Sequence, residues 1–265
     1  MDNCMVSIII PFYNSDSTIR QALQSVLCQR LKGNLNGTGC EKDCTAEVII
    51  VDASDSFSEK MISGIYNPYG YSVRCIGGGV NMDAGEARNL GVKYSTGKYI
   101  AFLDADDWWE KDKLSVQLSI FAKNENNKDL KIVFTARRLC DENGRKTKKV
   151  IAAPKKVGFK ELCHSNYISC SSVVMRRETA EEFPMKSGDI HEDYLCWLMM
   201  FRDSGYAVGI NRPLLNYRSY RSSRSGKKMG SALMTYRTYK AAGFSLTRRL
   251  GCMMNYAFNG LRKYL

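Results

Sequence analysis

At 265 residues, 44% apolar and 25% charged, the chain is long enough to bury one complete α/β core, and its composition excludes disorder as the ground state. No apolar run approaches the roughly 18 to 20 residues of a bilayer span, and no basic start followed by an apolar stretch opens the chain, so a cytoplasmic protein is expected. The net charge of +12 belongs entirely to the C-terminal quarter, because residues 204–265 carry twelve Lys/Arg and no Asp or Glu, leaving 27 of each sign before them.

In chain order, Val6-Ser7-Ile8-Ile9-Ile10 is a continuous apolar run rich in β-branched residues, the pattern of a strand covered on both faces, and Pro11 closes it. Asn14, Ser15 and Asp16 offer N-caps for a helix over 17–29, with Ile19, Leu23, Val26 and Leu27 on one face. The Gly/Asn-rich connection 32–45 is long for a compact α/β domain and reads as a surface excursion. Cys40 and Cys44 lie in it, but with only two histidines in the chain a zinc site is not expected there. Ten cysteines at irregular spacing do not make a disulfide framework.

A second buried strand is expected over 47–52, a third over 73–76 with a turn at 77–79, a helix over 83–95 and a fourth strand over 99–103. Such strand–helix repetition predicts a mostly parallel sheet with helices on both faces, whose ligands sit outside the carboxyl ends of the strands. Beyond it, 114–123 and 193–202 read as helices and 132–138 and 171–176 as strands. Residues 207–210 and 214–217 read as two short extended pieces, and the chain is helical again from Ser231.

Two of these strands end in carboxylates, at Asp52 and at Asp104-Ala105-Asp106-Asp107. Carboxylates crowded without cations repel one another, and a hard divalent ion shared with phosphate oxygens is the common remedy. The plainer alternative is that Asp104–Asp107 cap a helix beginning at Trp108-Trp109-Glu110.

The ordered set Val6–Asn14, Val51-Asp52-Ala53-Ser54-Asp55, Gly85-Glu86-Ala87-Arg88-Asn89-Leu90-Gly91, Thr96–Asp107 and Glu192-Asp193 closely resembles the family 2 glycosyltransferases of the GT-A fold, over roughly residues 5 to 220. The resemblance implies a GT-A α/β domain over 1–225, with a basic helical tail over 226–265. It implies that Pro11, Tyr13 and Asn14 form the loop under a nucleotide base whose edge bonds Asp52, and that Arg88 approaches the base or diphosphate. Asp104 would touch the ribose and Asp106 would ligate the Mn²⁺ or Mg²⁺ that bridges the phosphates. Asp193 matches the family's general base, with Glu192 its neighbour in that motif, and its plainer alternative is an N-cap. The expected partners are a nucleotide-sugar donor, UDP-linked by resemblance, and a glycan or lipid-linked acceptor.

The chemistry is consistent with those roles. Charge builds on a diphosphate leaving group, which a cation stabilises, and the attacking hydroxyl needs one base on the opposite face of the sugar. One base without a nucleophile implies inversion at the anomeric carbon. The helix dipole at the start of 193–202 is expected to keep Asp193 ionised. Two departures stand out. Asp52-Ala53-Ser54 replaces the more usual Asp-Gly or Asp-Asp, and Tyr220 stands where many relatives place a histidine. The basic segment 218–228 reads as a mobile loop suited to folding over a diphosphate.

In the tail, Leu246, Leu250, Met253, Met254, Ala257, Phe258, Leu261 and Leu265 recur on one helical face while Arg248, Arg249, Arg262 and Lys263 mostly face away. That face fits either an anionic membrane surface, with the protein peripheral on it, or packing on the catalytic domain. A sugar nucleotidyltransferase is the rival enzyme, disfavoured because Phe12-Tyr13-Asn14-Ser15 lacks a Gly-rich basic loop. A polyanion-binding protein is the non-catalytic rival; no nucleic-acid partner is expected, since residues 1–203 are neutral and carry the carboxylate cluster.

Overall fold

The computed structural model describes residues 4–31, 45–54, 56–77, 79, 82–220 and 228–264. The connection 32–44 with Cys40 and Cys44, and most of the basic loop at 221–227, lie outside them. The first half runs β1 (Cys4–Phe12), α1 (Ile19–Leu27), β2 (Thr45–Asp52), β3 (Ser72–Gly77), α2 (Ala84–Tyr94) and β4 (Tyr99–Phe102). The second half adds β5 (Trp108–Trp109), α3 (Lys113–Lys123), β6 (Leu130–Cys140), β7 (Lys146–Ile151), β8 (Lys156–Val157) and α4 (Phe159–His164). It continues with β9 (Val174–Arg176), α5 (Arg177–Glu182), α6 (Glu192–Met200) and β10 (Tyr206–Arg218), and α7 (Lys228–Ala241) and α8 (Leu246–Tyr264) follow.

These strands make one open, mostly parallel sheet in the order β3-β2-β1-β4-β9-β6-β10-β5, with β7 and β8 paired to β6 and β10. Alternation along β1 feeds two cores. Ile9 packs with Ile49, Val51, Ala87 and Phe102 on one face, and Ile8 and Ile10 with Leu23, Val26, Val48 and Ile50 on the other. This two-sided burial is why the strand reads as an unbroken apolar run. Helix α2 lies so close to β1 that a Cβ on Gly91 would sit 2.4 Å from Ile9 Cγ2, so no larger residue fits there. Its start is fixed by a reciprocal cap, Asp83 accepting from the Glu86 amide and Glu86 from the Asp83 amide.

Several local expectations are corrected. Pro11 does not end β1, because pairing with β4 stops at Ile9 and at Pro11 only β2 flanks the strand. The side chains of Asn14, Ser15 and Asp16 do not cap α1; the Ser15 carbonyl closes the turn by accepting from the Thr18 and Ile19 amides. The two short pieces near 207–217 are one 13-residue strand whose register slips on either side of Pro213. Asp104–Asp107 cap no helix, since Trp108 and Trp109 pair with Asn216 and Leu215 as β5.

The C-terminal helices pack on the second half, α7 on α6 and α8 on α4 and α7. Tyr239 is fully buried there and its hydroxyl meets that of Tyr194 at 2.9 Å. Among the described residues no helix is long and apolar enough to cross a membrane.

Candidate active site

The parallel strands deliver their loaded ends to one edge. At the end of β1, Pro11 is followed by Phe12, whose carbonyl accepts from the Ala53 amide, and by the exposed Tyr13. Asn14 then takes φ +46°, a left-handed conformation that asparagine tolerates, and its amide meets Ser54 Oγ at 3.5 Å. At the end of β2, Asp52 organises its own loop. Its Oδ1 accepts from the amide and hydroxyl of Ser54, both at 3.0 Å, and its Oδ2 from the Phe57 amide at 3.1 Å. The loops that follow β1 and β2 are therefore tied to each other at the carboxyl edge of the sheet.

Arg88 is the centre of the site. Its side chain, only 4% exposed, donates from Nη2 to Asp104 Oδ1 at 2.6 Å and from Nη1 to Glu192 Oε1 at 3.0 Å. The sequence reading sends this guanidinium toward a base or diphosphate; in the fold both its terminal nitrogens donate to carboxylates. The rigid planar fork makes that double contact possible, which a lysine could not reproduce. Next to it on α2, Asn89 exchanges two hydrogen bonds with the Met185 backbone at 2.7 and 2.9 Å, fixing the segment that leads to Glu192 and Asp193.

Asp106 has no such guanidinium partner. Burial, and then the charge of Asp104, push its carboxyl up to about 6, with Arg218 offsetting them in part. Asp107 is buried and raised as well, by burial and then by Asp106; it accepts from the Arg218 amide at 2.9 Å. Sequence reasoning places Arg218 at the head of a mobile loop. Instead it is pinned, with Nε on the Asp106 carbonyl at 2.9 Å, Nη1 on the Glu142 carbonyl at 3.0 Å and Nη2 on Gln21 Oε1 at 2.7 Å. No local signal separates this arginine from the basic residues after it, because its partners come from three distant segments, at Gln21, Asp106-Asp107 and Glu142. Tyr220 stands close enough to Asp106 that burial and then Asp106 raise its phenol, which therefore stays protonated.

Asp193 lies in the first turn of α6 and accepts from the Tyr194 amide at 2.6 Å. Part of its surface stays open to solvent, yet crowding around the carboxyl, and then Glu192, raise it to about 7 despite Arg88. The helix dipole expected to keep it ionised is thus outweighed by desolvation and a like charge. His191, not Asp193, occupies the N-cap position.

Among the described residues no three His, Cys, Asp or Glu side chains converge to hold a metal by themselves. A divalent ion that takes one or two carboxylates and fills its shell with phosphate oxygen and water needs less. Asp106 fits that requirement: it is partly exposed at this sheet edge, and burial first and Asp104 second raise its carboxyl.

A mostly parallel sheet with a D-x-D turn at its carboxyl edge and a further carboxylate in the first turn of a helix is the arrangement of the GT-A fold. Residues 7–208 match the family described as Glycosyl transferase family 2, and the chain belongs to that family. It is 28% identical over 262 residues to the putative teichuronic acid biosynthesis glycosyltransferase TuaG of Bacillus subtilis, covering 98% of both chains. It is 29% identical over 266 residues to the UDP-Glc:alpha-D-GlcNAc-diphosphoundecaprenol beta-1,3-glucosyltransferase WfgD of Escherichia coli, covering 100% of this chain and 96% of that one. The fold is shared with the mannosyltransferase PcManGT of Pyrobaculum calidifontis, solved with GDP-Man and Mn²⁺, at TM-score 0.64 and 13% identity over 96% of this chain and 69% of that one.

Proposed function

We propose that the protein is an inverting glycosyltransferase that moves a sugar from a UDP-sugar to a hydroxyl of a lipid-linked glycan during polysaccharide assembly. The observation that carries this reading is the bridge made by Arg88, which holds Asp104 of the D-x-D turn at 2.6 Å and Glu192, the neighbour of Asp193, at 3.0 Å and so brings the two carboxylate motifs together. The loop 11–14 and Asp52 receive the base and Asp104 the ribose. Asp106 would hold Mn²⁺ or Mg²⁺, which when bound supplies positive charge to the departing diphosphate. Asp193 takes the proton of the acceptor hydroxyl as it attacks, with Glu192 beside it in the chain held by Arg88 at 3.0 Å. With a pKa of about 7 Asp193 is basic enough to accept a proton and is half ionised near neutral pH. A single base and direct attack give inversion. The UDP donor and the diphospho-lipid acceptor are supported by the named activity of the WfgD relative.

The test is transfer from UDP-sugars to a short diphospho-lipid acceptor, with the new anomeric centre read by NMR. Inverted product from wild type, and none from Asp193→Asn, is the expected result. Retained configuration, or undiminished turnover in Asp193→Asn, would overturn the assignment.

A further inference from the structure

Helix α8 packs on its domain through one face and still leaves a second apolar line in water, where a helix that merely packs would bury its whole apolar stripe. Its inward side carries Cys252 and Arg249, with Met253 and Tyr256 packed against the core. Arg249 Nη1 donates to the Tyr236 hydroxyl at 3.0 Å, and the Arg248 guanidinium lies 4.5 Å from the Phe244 ring centroid and 5.0 Å from that of Phe159. The stripe Leu246, Leu250 and Met254 instead faces outward, at 56%, 54% and 75% exposure. At about 100° per residue these three positions fall within roughly 80° of one another, one continuous line along the helix.

We propose that this outward stripe of α8 is a docking surface for an anionic lipid bilayer. Charge complementarity selects the occupant. The stripe belongs to the acid-free, twelve-cation quarter of the chain, which a negatively charged surface attracts. A second copy of the chain would bring a like-charged quarter against it, which opposes association.

The docking helix is also tied to the chemistry. It packs on α7, and α7 holds the segment before Asp193: the His191 amide donates to Thr238 Oγ1 at 3.0 Å and the His191 ring meets the Ser231 carbonyl at 3.3 Å. Docking through α8 therefore fixes the height of Glu192 and Asp193 above the bilayer, where a lipid-linked hydroxyl is presented. The docking surface itself stands without the sugar-transfer reading; only this last link to the acceptor rests on it.

Co-sedimentation of the full chain with phosphatidylglycerol/phosphatidylcholine vesicles and with phosphatidylcholine vesicles, at low and high salt, tests the proposal without donor or acceptor. Wild type is expected on the anionic vesicles, weakened by salt, with the triple variant Leu246→Ser/Leu250→Ser/Met254→Ser weaker by about tenfold or more. The melting transition and UDP binding of that variant should match wild type, so a failed donor site and a failed docking face give different results. Should the triple variant not fold, Met254→Ser alone, at the most exposed position, is expected to weaken binding by about threefold. Wild type left in the supernatant, or a folded variant bound as tightly as wild type, overturns the proposal. So does a dimer seen by analytical ultracentrifugation that the same substitutions abolish, which would assign the stripe to a second copy.

Discussion

The two carboxylate motifs of the cleft invite comparison, because each contains one acid that the fold pairs with Arg88 and one that it does not. In the D-x-D turn Asp104 takes Arg88 at 2.6 Å while Asp106 is raised to about 6; in the helical motif Glu192 takes Arg88 at 3.0 Å while Asp193 is raised to about 7. Charge count does not distinguish the members of either pair, and a buried guanidinium with two hands does. The difference teaches that Arg88 pairs with one acid of each motif, while the other acid, raised first by burial and then by its neighbouring carboxylate, is left without a guanidinium contact.

The largest way to break that division is to remove an acid on the unpaired side. Asp193→Asn is expected to lower kcat by about 10² to 10⁴-fold with UDP affinity unchanged within twofold, measured by steady-state transfer and calorimetry. Unchanged kcat would place the base elsewhere. Next comes the divider. Arg88→Met leaves Asp104 and Glu192 facing each other without their cation and should cost about 3 kcal/mol in denaturant unfolding, with Arg88→Lys recovering only part of it.

A smaller effect sharpens the comparison through pH. Because burial and Glu192 raise Asp193 to about 7, its ionised fraction grows as pH rises through that value. Transfer measured as kcat/KM should therefore fall about tenfold per pH unit well below 7 and level off above about 8. A flat profile from pH 5 to 8 would contradict the raised carboxyl.

The smallest effect lies outside both motifs. Lys113 is fully buried, its Nζ 3.9 Å from the Trp109 ring centroid and without a hydrogen-bond partner among the described residues. Burial holds its amine well below the usual lysine range, so the folded state binds fewer protons than the unfolded one. Wild type should gain stability as pH rises toward the ordinary lysine range, and Lys113→Met should remove that slope and add about 1 kcal/mol near neutral pH, read from thermal melts at several pH values.

What the sequence made legible divides along similar lines. The strands and helices from β1 to β4, and the positions of Asp52, Asp104 and Asp106 at strand ends, follow from local apolar period and turn chemistry, and the structure places them so. The roles that resisted reading depend on contacts across the chain. Arg88 reaches Glu192 over 104 positions and Arg218 reaches Gln21 over 197, separations at which no local pattern carries information. Short pieces such as β5 and β8 exist only because β10 pairs with them. In the tail the amphipathic period was plain, yet only the packed structure shows that Leu246, Leu250 and Met254 point outward while Met253 packs on the core.

The most direct measurement is calorimetric titration of UDP, GDP and CDP, each with Mn²⁺ and with EDTA, into wild type, Asp106→Ala and Asp193→Asn. The account predicts metal-dependent binding of UDP to wild type, lost in Asp106→Ala and kept in Asp193→Asn. Binding of equal strength in EDTA, or undiminished in Asp106→Ala, would contradict it.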